Sequence, residues 1–185
     1  MEGRRSLWLA LVLVVLVVAW GQPAAAEVHP NNRVPAPPAD GPPTGAPGAI
    51  IDNGTIQLGV VDQGQLNEAG GSPSLCGVSI VGLRYLPTGG ESTSPGCLCE
   101  GWGVADGVTA VSGYADQSKG VVNMTVDSFT ATATTATSVV TVGTTFRVTH
   151  DFRPSATPNL YEAEVTIENI SGADLTDVRY TRQMD

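Results

Sequence analysis

The second half of this chain alternates apolar and polar residues with a period of two, and no stretch beyond the first twenty-odd residues carries a helical apolar stripe. Phe146, Val148 and His150 alternate with Arg147, Thr149 and Asp151. Tyr161, Ala163, Val165 and Ile167 alternate with Glu162, Glu164, Thr166 and Glu168. Val122, Met124 and Val126 alternate with Asn123, Thr125 and Asp127, and Val178 and Tyr180 with Arg179 and Thr181. Successive side chains of a strand point to opposite faces, so each run has one face for a core and one for water. Turn pairs divide the runs at Val142-Gly143, Pro154-Ser155 and Ser171-Gly172. Short strands at this spacing predict an all-β fold, an antiparallel β-sandwich. Thr130 to Thr141 is rich in Thr and Ala and predicts a strand of weakly specified register.

The sandwich is expected over residues 49–185. Ala49-Ile50-Ile51 and Thr55 to Val60 flank Asp52-Asn53-Gly54, and Asn-Gly between apolar runs predicts a hairpin. Asp62 to Ser74 reads as loop and Val78 to Leu86 as strand. Residues 27–48 carry seven prolines between His29 and Gly48. Proline lacks the ladder donor, so this segment reads as a disordered, partly polyproline-like linker. Residues 1–26 read as a secretory signal peptide. Arg4 and Arg5 precede an apolar run from Leu7 to Trp20, and Ala24-Ala25-Ala26 offers a cleavage site before Glu27. The run is 14 residues long, against about 20 for a spanning helix, so no membrane span is expected after cleavage. The chain stops at Asp185 directly after a predicted strand, and continuation past it is expected.

Charge narrows the partners. The whole chain has a net charge of −9, and cleavage, which removes Glu2, Arg4 and Arg5, takes it to −10. Such a chain is repelled by nucleic acid and by anionic membrane surfaces. The acidic residues are dispersed, as on a solvated surface.

An exported chain meets an oxidising space, which makes a disulfide the default for Cys76, Cys97 and Cys99. In an extended chain the two cysteines of Cys97-Leu98-Cys99 point the same way too far apart to bridge. The expected bond is therefore Cys76 to Cys97 or Cys76 to Cys99, contributing about 3 kcal/mol by loop closure. Zinc is the rival. It needs a fourth ligand, and His29 lies in the linker while His150 lies far downstream. No metal or cofactor is expected.

Enzymatic readings are weak. His150 and Asp151 are adjacent on a strand and face apart, so they do not form two members of a triad. Glu162 and Glu164 share a face at a separation suited to a glycosidase pair, yet their alternation with core residues marks a solvated face. No catalytic residue is assigned. Asn53-Gly54-Thr55, Asn123-Met124-Thr125 and Asn169-Ile170-Ser171 match the N-glycosylation pattern and equally suit turns. Trp102 and Tyr114, flanked by glycines, are candidates to stack on a sugar ring, although packing of Trp102 over the cysteine loop is the preferred reading.

Two strings carry a resemblance. Gly82 to Gly89 with Ser94-Pro95-Gly96-Cys97-Leu98-Cys99-Glu100-Gly101-Trp102-Gly103-Val104 is one, and Tyr161 to Asn169 with Ser171 to Tyr180 is the other. Together they resemble exported bacterial surface proteins of unassigned function, many of which end in a Pro-Glu-Pro-type sorting signal. That signal is absent here. The resemblance covers most of residues 49–185, implies export and a β fold, and transfers no catalytic residue. The expected function is a non-enzymatic, secreted or cell-surface β-sandwich module with a structural or adhesive role. Extracellular polysaccharide or other surface proteins are its expected partners. The alternative is a carbohydrate-binding or carbohydrate-processing accessory domain.

Overall fold

The computed structural model describes residues 48–184 and the strand Leu9–Val14. The described residues contain no helix. They form three antiparallel sheets. The expected linker, the cleavage site before Glu27 and most of the expected signal lie outside the described residues.

The largest sheet has the order β1-β12-β11-β10-β9, where β1 is Leu9–Val14, β9 Met124–Ala131, β10 Ala136–Val142, β11 Phe146–Pro154 and β12 Tyr161–Asn169. The second, β13-β6-β7-β8, joins β6 Gly101–Asp106, β7 Ser112–Asp116, β8 Gly120–Val122 and β13 Val178–Gln183. The third, β2-β3-β4-β5, joins β2 Ala49–Asp52, β3 Ile56–Val60, β4 Leu83–Tyr85 and β5 Gly90–Glu91. Leu9 to Val14, the middle of the apolar run read as a signal, pair along β12 from Ile167 to Glu162.

The period-two runs set the core. On β10, β11 and β12 every second residue is buried, from Ala136, Phe146 and Tyr161 onward. These inward residues divide into two clusters. Ala136, Phe152, Tyr161 and Ala163 pack with Ile51, Ile56, Leu58, Leu66 and Leu83 of the third sheet and of the loop between its strands β3 and β4. Val140, Val142, Phe146, Val148, Val165 and Ile167 pack with Trp102, Val104 and Ala115 of the second. The large sheet thus lies against both smaller sheets, one at each end of its strands. Between the clusters, Ser138 and His150 face inward as a cross-strand pair. We call this polar band the seam.

Local expectations meet the structure unevenly. The Asp52-Asn53-Gly54 turn forms, with Gly54 at φ 85° and Asn53 Oδ1 accepting from the amides of Thr55 and Ile56. Only Leu83–Tyr85 of the expected Val78–Leu86 strand is a strand. Val122 leaves the expected Val122–Val126 alternation because Asn123 takes a left-handed conformation, φ 56°. That residue ends β8 and leaves Val122 exposed. Asp62 to Ser74 is loop apart from single bridges at Leu66 and Glu68, yet Asp62, Gln65 and Asn67 are fully buried. The weak register of the Thr-rich segment becomes a bulge in the β9–β10 pairing at Val139/Val140.

Candidate functional site

The seam is built by strand parity. Trp102 and Val104 face inward on β6, so Glu100, two residues before Trp102, faces inward too, and it is completely buried. Tyr180 faces inward on β13, and so does Arg182. Antiparallel pairing sets Arg182 opposite Trp102. Arg182 Nε lies 2.7 Å from Glu100 Oε1, with side-chain exposures of 3% and 0%. Glu100 Oε2 also accepts the Leu66 amide. Arg182 donates to the Gly64 carbonyl and stands 5.5 Å above the Phe152 ring. The loop between Val61 and Leu66 plugs the seam. Trp102 Nε1 donates to the Gln63 carbonyl at 2.8 Å, and the Ser138 hydroxyl donates to the Asp62 carbonyl at 2.6 Å.

His150 completes this network through Nε2, 3.0 Å from the Tyr180 hydroxyl. Burial, reinforced by the Arg182 charge, holds its pKa well below the ordinary histidine value, so the ring is neutral. Burial pushes the Glu100 carboxyl up, against the opposing pull of Arg182. Trp102, His150 and Tyr180 pack ring to ring, with centroids 4.5 Å apart for Trp102–His150 and 6.1 Å for Trp102–Tyr180. The seam is closed to solvent, and its charges neutralise one another. It braces the fold and offers a ligand no surface.

The outer face of the second sheet is open. Here β6 presents Gly101, Gly103 and Ala105. Gly103 pairs with Tyr114 on β7 and Thr181 on β13, and Gly101 pairs with Asp116 and Gln183. Glycine has no side chain to raise the floor, so a trench runs along β6. It holds a cavity of about 250 Å³ lined by Gly101, Gly103, Tyr114, Asp116, Thr181 and Gln183, with Lys119 at its margin. Tyr114 is 40% exposed and forms one wall. Asp116 turns its Oδ1 to the amides of Ser118 and Lys119, and its Oδ2 accepts from Gln183 Nε2, which spans the Gly101 end.

Trp102 is 2% exposed. It is one residue out of step with the Gly103–Tyr114 row, and period two turns it inward. Its ring faces His150 and Tyr180 in the core rather than the cysteine loop or solvent. The structure does not bring Trp102 and Tyr114 together on one surface.

The cysteines differ from expectation. Cys97 and Cys99 are bonded to each other, Cα–Cα 5.2 Å, and Cys76 is free and exposed. The expectation rested on an extended chain. Instead Leu98 departs from the extended conformation, its flanking Cα atoms lying 5.2 Å apart, and it exchanges bonds with Ser118, amide to hydroxyl and carbonyl to amide. The fold at Leu98 puts the two Cα atoms within the 4.4–6.8 Å that a disulfide accepts. A ring closed over so few residues removes little freedom from the unfolded chain. Replacing both Cys97 and Cys99 by serine should cost about 1.5 kcal/mol in urea unfolding, half the value for a bond to Cys76. A cost of about 3 kcal/mol or more, or non-reducing peptide maps that join Cys76 to either partner, would contradict the local bond.

The remaining candidates have structural partners. Asp151 Oδ1 accepts the Thr137 hydroxyl on the outer face, away from His150. Glu162 and Glu164 both bind Arg153 at 2.7 Å, and Glu168 binds Arg147 at 3.0 Å. Each glycosylation-pattern asparagine donates its side-chain amide to backbone carbonyls: Asn53 to Pro158 and Leu160, Asn123 to Ser112, Asn169 to Ala173. Among the described residues no group of three or more His, Cys, Asp or Glu side chains is gathered as a metal site.

Comparison with protein-family models, curated proteins and solved structures returns no match.

Proposed function

We propose that this chain is an exported β-sandwich module of a bacterial cell-surface or matrix protein, with a structural or adhesive role and no catalysis of its own. The observation that carries the reading is the Cys97–Cys99 disulfide. Disulfides persist in oxidising compartments, and the Arg4-Arg5, Leu7–Trp20, Ala24–Ala26 pattern is that of a leader directing a chain to one. The packing of the large sheet against two smaller ones through continuous cores supports a sandwich. The salt-bridged outer face of β11 and β12 supports a passive, solvated surface there. Polysaccharide or neighbouring surface proteins are the partners such a module meets.

The pairing of Leu9–Val14 with β12 makes the test sharp. As a cleaved leader, this segment leaves and β12 becomes an edge strand. As an integral strand, it stays. Expression of the whole chain in a secreting bacterium, followed by N-terminal sequencing of the protein in the medium, should give a start at Glu27. A folded product that retains Leu9 to Val14, or one that never leaves the cytoplasm, would overturn the export reading.

A carbohydrate-binding role is the second reading. The exposed Tyr114 beside a glycine floor is the observation that favours it.

A further inference from the structure

We propose that the trench over Gly103 is a binding site for an extended, neutral oligosaccharide, with Tyr114 as the stacking platform. The proposal deepens the carbohydrate-binding reading and rests on it.

Three features of the trench select this ligand. The first is shape. Gly103 lies between Tyr114 and Thr181 with no side chain between them. The open floor lies over Gly103, and the Gln183–Asp116 bond closes the groove at its Gly101 end. A groove one strand wide, with Tyr114 on one side and Thr181 on the other, suits an extended chain better than a coiled one.

The second is the pairing of apolar and polar surfaces. Tyr114, 40% exposed, is the wall on the β7 side, and behind it on β8 the 44% exposed Val122 extends the apolar surface away from the groove. Thr181 and Gln183 form the opposite wall, and Lys119 stands at the margin. A pyranose ring has the complementary character. Its C–H face packs on an aromatic ring, while its equatorial hydroxyls reach sideways to hydroxyl, amide and ammonium groups.

The third is charge. The carboxylate in the trench, Asp116, is 4% exposed and is consumed by the turn amides and by Gln183. The chain as a whole is strongly negative, net −9. An anionic polymer is repelled by that field, and a neutral one is not.

Isothermal titration of the purified secreted protein with cellohexaose tests the proposal, with maltohexaose as the coiled control and an alginate hexamer as the anionic one. Cellohexaose should bind saturably with Kd below about 10 mM, while the two controls do not. Tyr114→Ala should weaken binding about tenfold, and Tyr114→Phe should retain it, because stacking needs the ring and not the hydroxyl. Gly103→Val should abolish binding by filling the floor. A Cβ there meets the Gly113 carbonyl at 3.3 Å and Tyr114 Cβ at 3.4 Å, so the strand accommodates it with small shifts. Unchanged circular dichroism in each variant separates loss of the site from loss of the fold. No saturable binding of cellohexaose overturns the proposal, as does binding indifferent to Tyr114→Ala or equal binding of maltohexaose or alginate. If cellohexaose fails while other neutral oligosaccharides bind elsewhere on the protein, the carbohydrate-binding reading survives and the Gly103 site does not.

Discussion

Replacing Arg182 by methionine should cost about 3–5 kcal/mol of folding stability, because it strands a buried carboxylate. Glu100 has no exposed surface, and Arg182 is the positive group that faces it. The carboxylate must then stay ionised without its partner or take up a proton, and either choice weakens the fold. With a urea m-value near 2 kcal/mol/M, the unfolding midpoint should fall by about 2 M. The double variant Glu100→Gln with Arg182→Met should recover a large part of that loss. Glutamine keeps an acceptor for the Leu66 amide and carries no charge. Coupling between the two sites should therefore be strong in a double-mutant cycle. A single-variant cost below about 1 kcal/mol would mean that water reaches the pair and that the seam is open.

Val148→Asp should be at least as damaging. Val148 has no exposed surface, and it lies in one row with Val140 and Ile167 across the ladder. No hydrogen-bonding side chain stands opposite it. An aspartate there has neither proton donor nor cation to satisfy it, and the penalty is several kcal/mol, comparable to the whole stability of a small domain. Val165→Asp should be milder, because His150 faces that position directly and can share a proton with the new carboxylate. The outer-face variant Glu164→Lys loses a contact to the partly exposed Arg153 and should cost less than about 1 kcal/mol. Urea unfolding of the three variants ranks them. If Glu164→Lys equals or exceeds Val148→Asp, the facing of β11 and β12 is reversed.

The facing of those strands was legible because alternation is strict from Phe146 to Phe152 and from Tyr161 to Ile167. Hydrophobic contrast between neighbours fixes register wherever one face is buried. The same parity rule reaches Glu100 from Trp102 and Arg182 from Tyr180. Charged residues at strand ends read as solvated, however, and their meeting depends on the pairing of β6 with β13, strands far apart in sequence. No local signal carries that pairing. The cysteines were misjudged because Leu98, between them, does not take the extended conformation assumed for it. The same parity accounts for Trp102: next to Gly103 in sequence, it faces the core, opposite to the Gly103–Tyr114 row.

The seam has a consequence for how the molecule comes apart. A sheet backed by two separate partners invites piecemeal opening, one partner lifting while the other stays. Here the loop that leaves β3 of the third sheet closes over Glu100 and Arg182, which belong to the second, and binds Ser138 of the first. Lifting either small sheet leaves an ion without its full set of partners. The polar band therefore acts as a clasp, trading some stability for all-or-none behaviour. It favours a fold that is either whole or unfolded over one that exposes half of its core.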